Sequence, residues 1–91
     1  MSNTGVIREY YNDEKTLLKE EYFQVNGKKE GEFKCYYPSG ELYHIINYVN
    51  DKKEGESKSF HENGQLASIF YYINNKKEGG INHIIFMDNY L

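Results

Sequence analysis

The chain has 91 residues, 38% of them hydrophobic, and a formal charge of −3 at pH 7. That length holds one small domain and leaves no spare capacity for a separate catalytic unit. A mildly acidic balance disfavours phosphate backbones or anionic lipid as the main source of affinity. Aromatic residues reach 16%, ten Tyr and five Phe without Trp, a composition suited to pleated surfaces that are half wet and half packed. The lone Cys35 can form no internal disulfide, the opening Met1-Ser2-Asn3-Thr4-Gly5 lacks the apolar run of a signal peptide, and no stretch approaches transmembrane length. A reducing, cytoplasmic location is the expectation.

Taken in chain order, the sequence repeats itself. A first unit, residues 5–30, keeps Tyr10, Leu18, Asn26, Lys28, Lys29 and Glu30 with two extra residues in its turn. The second, 31–54, opens Gly31-Glu-Phe-Lys-Cys-Tyr-Tyr-Pro-Ser-Gly-Glu-Leu and aligns at an offset of 24 with the third, 55–78, which opens Gly55-Glu-Ser-Lys-Ser-Phe-His-Glu-Asn-Gly-Gln-Leu. Ile45, Tyr48, Asn50, Lys52, Lys53 and Glu54 return as Ile69, Tyr72, Asn74, Lys76, Lys77 and Glu78, and a fourth unit, 79–91, is cut short. All four are assigned to a single domain, 1–91.

Each unit reads as strand, turn, strand, turn. Asn63-Gly64 and Ser39-Gly40 signal two-residue hairpins, and Asn26-Gly27, Asn50-Asp51 and Asn74-Asn75 mark the alternate turns. No helical stripe runs through segments so rich in Gly, β-branched and aromatic residues. The expected fold is all-β: a curved, single-layer antiparallel meander of about seven strands. With Ser39 and Gly40 at a tip, Tyr37 is expected to face Leu42, Cys35 to face His44 and Phe33 to face Ile46. A turn around Asp51-Lys52 would set Tyr48 opposite Gly55 and Tyr72 opposite Gly79, each ring lying across a bare glycine backbone, while Gln24 takes the Tyr position opposite Gly31 and makes that cover weaker.

This pairing divides the apolar residues between two faces. One collects Phe33, Tyr37, Leu42, Ile46, Tyr48, Leu66, Phe70, Tyr72, Ile81 and Ile85. The other collects Tyr10, Phe23, Tyr36, Tyr43, Ile45, Val49, Phe60, Ile69, Tyr71, Ile73 and Ile84, relieved by Arg8, Lys34, Asn47 and Lys58. A lone sheet with one wet face alternates more cleanly, so surplus apolar surface points to association. The run Ile81, Ile84, Ile85, Phe86, Met87 on the last strand adds an edge that invites pairing.

Candidate chemistry is sparse. Cys35 beside His44, with Ser59, Ser68 and His83 along the same level, is the one site-like grouping, and it shows no orienting carboxylate. His61 sits where Tyr37 does one unit earlier and reads as packing. The Lys28-Lys29, Lys52-Lys53 and Lys76-Lys77 pairs, each followed by Glu, read as a solvated rim, with a phosphate-binding ladder as the alternative. Catalytic, cofactor and metal residues are expected to be none. Partner contacts are expected at Tyr36, Tyr43, Phe60, Tyr71, Ile84 and Phe86, since Tyr and Phe give large contact area at modest entropy cost.

The pattern Tyr-Tyr-Pro-Ser-Gly-Glu-Leu followed by Tyr-Val-Asn-Asp-Lys-Lys-Glu-Gly-Glu resembles the MORN-variant repeat of bacterial proteins, over residues 5–80. Some relatives are labelled antitoxins. The resemblance implies a curved sheet used for protein contacts. The expected function is therefore a non-enzymatic protein-binding inhibitor of antitoxin or immunity type, such as a mobile-element inhibitor of a bacterial defence nuclease, acting by steric occlusion. A homodimeric scaffold and a lipid- or nucleic-acid-binding repeat are the alternatives. Expected partners are a protein target and a second copy of the chain, without a membrane and without direct nucleic-acid binding.

Overall fold

A computed structural model describes residues 3–81. Seven strands follow one another: β1 Gly5–Tyr10, β2 Leu18–Val25, β3 Lys28–Tyr36, β4 Leu42–Val49, β5 Lys52–Phe60, β6 Leu66–Ile73 and β7 Lys76–Ile81. They form one antiparallel sheet in chain order, the open all-β meander expected from the repeats. Substantial contacts run only between consecutive strands. Each hairpin is thus held by its neighbours alone, as in other linear repeat arrays.

Two kinds of turn make two different rims. On one rim the chain reverses at Asn26-Gly27, Asn50-Asp51 and Asn74-Asn75, with positive φ at both residues of each pair. That is the signature of the two-residue turn whose twist matches paired strands, and Asn, Asp and Gly tolerate it best. The opposite rim departs from expectation. Tyr37 N–H donates to the Glu41 carbonyl at 2.8 Å and Gly40 N–H to the Tyr37 carbonyl at 2.8 Å, so the tip includes Pro38 as well as Ser39 and Gly40. His61, Gly64 and Gln65 repeat the arrangement, with Gly40 and Gly64 at φ 99° and 92°. A turn of three residues ending on a left-handed glycine replaces the two-residue hairpin expected at both places.

That extra residue corrects the register near the tip. Leu42 pairs with Tyr36, not Tyr37, and Leu66 with Phe60. A bulge beside Tyr43 then absorbs the slip, so Cys35 faces His44 and Phe33 faces Ile46 as expected. At the Asn rim the tip is Asn50-Asp51 rather than Asp51-Lys52, and Tyr48 pairs with Lys53 instead of Gly55. The glycine–aromatic pairing exists, but on the other flank: Gly31 faces Tyr48 and Gly55 faces Tyr72. Gln24 faces Gly5 and Lys29 rather than Gly31, while Gly79 faces Tyr71 and not Tyr72. Gly31 and Gly55 hold φ of 87° and 84°, the left-handed region that glycine enters without a Cβ penalty.

Cross-strand partners share a face, which places the core. Ile7, Tyr22, Phe33, Ile46, Ser57 and Phe70 follow one another across six strands. Ile46 is 7% exposed, Ser57 3% and Ser68 8%. The Tyr22 and Phe33 rings stack at 5.0 Å, and Phe33 meets Tyr48 at 5.8 Å. Small Ser57 lets Ile46 and Phe70 close over it from the neighbouring strands. Ile81 was expected on this face; the backbone instead sets it opposite Ile69, on the other.

Candidate protein-docking face

The second face of the sheet keeps its apolar groups in the open. Val6 on β1 is exposed beside Phe23, and beyond β1 Phe23, Val25, Val49, Tyr71 and Ile73 are exposed too, from 37% for Val25 to 59% for Ile73. Their distribution follows strand parity. β2, β4 and β6 carry the large apolar side chains. β3 and β5 carry charges on the same side: Glu32, Lys34, Glu56 and Lys58. Val25, Val49 and Ile73 occupy the same place in three successive hairpins, next to the Asn rim, and each pairs with the first lysine of its turn, Lys28, Lys52 or Lys76. Equivalent strands lie two spacings apart, roughly 10 Å, so the aliphatic positions form an evenly stepped ladder flanked by ammonium groups.

Charge is ordered into rows across this face. Lys34, Ile45 and Lys58 stand side by side, as do Glu32 and Asn47, while Glu56 neighbours Tyr71. Glu32 bonds Lys34 at 3.7 Å and Glu56 bonds Lys58 at 3.2 Å along their own strands. Arg8 Nε bonds Glu21 at 2.6 Å. Between the two charged strands lies a shallow depression of about 280 Å³ lined by Glu32, Ile45, Asn47, Glu56 and Lys58. Asn47 gives its amide N–H to the Glu54 carbonyl at 2.9 Å. The pairs are exposed and contribute little to stability. Their effect is to set an acidic row and a basic row on one surface.

Of the residues expected to touch a partner, Tyr71 is exposed on this face, at 47%. Tyr43 is 43% exposed but sits at the bulge, its ring 5.4 Å from His44 and 4.9 Å from Tyr37, which turns it towards the packed side instead of the face expected for it. Tyr36 and Phe60 are half-buried at the other rim, opposite Leu42 and Leu66. Ile84 and Phe86 lie outside the described residues, as do Ile85, Met87 and His83. Sequence reasoning passed over Val25 and did not single out the recurrence of Val25, Val49 and Ile73 before each turn. Their spacing was the available signal.

The Cys35 level gains the carboxylate that the sequence did not reveal: Glu20 faces Cys35, which faces His44, then Ser59 and Ser68. Ser59 and Ser68 hydrogen-bond each other through their hydroxyls. Burial pushes the Cys35 thiol up, and Glu20 adds to it. Burial likewise holds the His44 imidazole below its ordinary value, reinforced by Lys53. Both shifts favour the neutral forms and oppose the thiolate–imidazolium pair that nucleophilic catalysis needs. Among the described residues no group of His, Cys, Asp or Glu could hold a metal ion.

The dilysine turns are not the evenly solvated rim expected of them. The second lysine of each pair folds over the packed face: Lys29 Nζ lies 5.3 Å from the Tyr22 ring centre, 5.7 Å from Phe33 and 5.6 Å from Tyr48. Lys53 sits 4.9 Å over Tyr72 and Lys77 4.1 Å over Phe70. Among the described residues no second layer covers these rings, and the lysine stems and cation–π contacts partly replace one. The glutamates also differ from the expectation. Glu30 and Glu54 accept the Asn50 and Asn74 N–H at 2.9 and 2.8 Å, tying each turn to the one before it.

The hairpins step at 24 residues, and the two central units each carry a glycine bulge and a docked Asn turn. A family model described as MORN repeat variant matches residues 29–50 and 53–74. The two central hairpins are therefore similar to MORN-variant repeats. MORN repeats are generally binding modules, and each matched segment here runs from the end of one Asn turn through the next. No curated protein and no solved structure matches the chain. Among the described residues no helix is long and apolar enough to cross a membrane.

Proposed function

We propose that these MORN repeats form a non-enzymatic inhibitor of antitoxin or immunity type, which covers a protein target with the exposed face of the sheet. One observation carries this reading: the apolar surface of β2, β4 and β6 stays open on one side, with Phe23 and Tyr71 on it and the Val25, Val49, Ile73 ladder along its edge. Burying each such side chain is worth roughly 1.5–3 kcal/mol, enough in sum to drive a protein interface if the partner is complementary. Occlusion then needs no cofactor and no reaction at the sheet.

The test is a triple variant, Phe23→Ser, Val49→Thr, Tyr71→Ser, compared with the native chain for capture of a protein from native-host extract and for inhibition of that protein's activity. Native chain should capture and inhibit, and the variant should do neither while keeping its far-UV circular dichroism. Capture of the same protein by both chains, or none by either, overturns the reading.

The charge rows favour a second reading, a homodimer. Two copies laid face to face with strands antiparallel bring Glu32 and Glu56 of one against Lys34 and Lys58 of the other, a self-complementary match of the sort that two-fold interfaces use. Light scattering over a hundredfold concentration range separates the two. A stable dimer that Glu32→Lys with Glu56→Lys dissociates supports self-association; a persistent monomer leaves the face to a foreign protein.

A further inference from the structure

The contacts that join one hairpin to the next recur with the same atoms. Lys29 N–H donates to Asp51 Oδ1 at 3.1 Å, Asp51 N–H donates back to the Lys29 carbonyl at 2.9 Å, and Asn50 N–H donates to Glu30 Oε1 at 2.9 Å. One repeat on, Lys53 N–H donates to Asn75 Oδ1 at 3.2 Å, Asn75 N–H to the Lys53 carbonyl at 2.8 Å and Asn74 N–H to Glu54 Oε1 at 2.8 Å. Beside each turn a tyrosine lies opposite the glycine that follows the glutamate: Tyr48 on Gly31, Tyr72 on Gly55. A reduced form closes the N-terminal end, where Gly27 N–H reaches the Asn3 carbonyl at 2.8 Å and Asn26 N–H reaches Thr4 Oγ1 at 3.1 Å. A Lys-Glu-Gly step on an odd strand is therefore a socket, and a Tyr-(Val or Ile)-Asn-(Asp or Asn) turn is its plug.

Lys77, Glu78 and Gly79 make a third socket on β7, and no strand lies along its outer edge among the described residues. Its geometry differs from the two filled ones. In those, three residues bulge against one, so that Tyr22 pairs with Phe33 and Ile46 with Ser57. By the 24-residue repeat Phe70 should pair with Ile81; it pairs with Gly80, one residue tighter. Gly79 also lacks the positive φ that Gly31 and Gly55 hold. The left-handed glycine and the full bulge thus accompany a docked turn, and the socket without one is partly closed.

We infer that the outer edge of β7 at Lys77–Gly79 is a docking site for a β-hairpin of another polypeptide carrying Tyr-(Val or Ile)-Asn-(Asp or Asn) at a two-residue turn. The site continues the repeat–repeat interface already seen twice in the chain. The incoming first turn residue gives its N–H to the Glu78 carboxylate. The second exchanges bonds with the Lys77 backbone, and the tyrosine lies across Gly79. Docking reopens the bulge, turning Gly79 to positive φ and moving Phe70 onto Ile81. Strand addition of this kind takes affinity from main-chain bonds and specificity from the side-chain match. It uses the edge of the sheet and leaves the exposed face free.

The experiment titrates a head-to-tail cyclised peptide of residues 42–60, which holds the Tyr48-Val49-Asn50-Asp51 turn as a hairpin, into the isotope-labelled full chain. Saturable amide shifts at Lys77, Glu78 and Gly79 are expected. Glu78→Ala in the chain, or Asp51→Gly in the peptide, should each weaken binding about tenfold by removing one charge-assisted bond. The triple face variant described above should bind the peptide like the native chain, so that failure of the docking-face reading and failure of this one are told apart. Absence of shifts at millimolar peptide overturns the inference, with light scattering then showing whether a second copy or the chain's own residues 82–91 cover the edge. Shifts that Glu78→Ala leaves unchanged overturn it as well.

Discussion

Three residues apart on β4, Ile46 is 7% exposed and Val49 47%. Both are β-branched aliphatics on the same strand, and among the described residues neither has a second layer above it. The difference comes from their lateral neighbours. Ile46 stands between Phe33 and Ser57, in a row where the Tyr22 and Phe33 rings stack on one side and Phe70 follows Ser57 on the other. Val49 stands beside Lys52 at a turn, with charged strands on either side. In a one-layer sheet, burial is made sideways, by alternating large and small residues across strands, and the face without that alternation stays available for a partner.

The sharpest way to break this contrast is at Ile46. Ile46→Ala should cost about 2–4 kcal/mol, as large-to-small changes at packed sites do, read as a drop in the urea midpoint. Next comes the bulge: Gly55→Ala places a side chain at φ 84°, a strain of about 1–2 kcal/mol, and should also quicken amide exchange at Tyr72 opposite it. Glu54→Ala removes the acceptor of Asn74 N–H and should cost about 1 kcal/mol, with exchange of the Asn74 amide rising first. Smallest is the open face, where Val49→Thr or Tyr71→Ser should change stability by no more than about 0.5 kcal/mol. A loss there as large as that at Ile46 would mean the two faces are equally packed.

A pH titration sharpens the same comparison from the packed side. His44 has its imidazole held below the ordinary value of 6.5, so the unfolded chain takes up a proton first. Stability should therefore be full above about that value, fall as pH drops through it, and level off below the folded-state titration. His44→Gln should flatten this acid limb in melting temperature against pH. Cys35, raised above 9.0 by burial and Glu20, gives the mirror-image limb, losing stability as pH rises past that value.

Much of this was legible beforehand because the repeat carries its own register marks. The 24-residue offset and the Asn pairs gave the strand count and the meander, and the Phe33–Ile46 and Cys35–His44 pairings followed from simple counting. Counting failed where an extra residue hid in a turn. Pro38 and Glu62 belong to their tips, and the bulge that repairs the slip leaves no mark that period-two alternation can detect. The Tyr48 partner was misplaced because the tip is Asn50-Asp51, one residue before the position counted from, and Gly55 itself lies inside a bulge of three residues against Asn47. Glu20 escaped notice because its alignment with Cys35 depends on the equivalent bulge around Gly31, between β2 and β3.

The sequence by itself determined that the chain is a β-hairpin array, where it turns and which residues recur, because turn propensity and apolar periodicity are local properties read residue by residue. Only the tertiary structure decided which face is packed and which is open, that Lys29, Lys53 and Lys77 lie over rings, and that Glu30 and Glu54 hold the next turn. Those outcomes depend on register between strands and on contacts between residues 20 or more positions apart, which a slip of one residue would redistribute between the two faces.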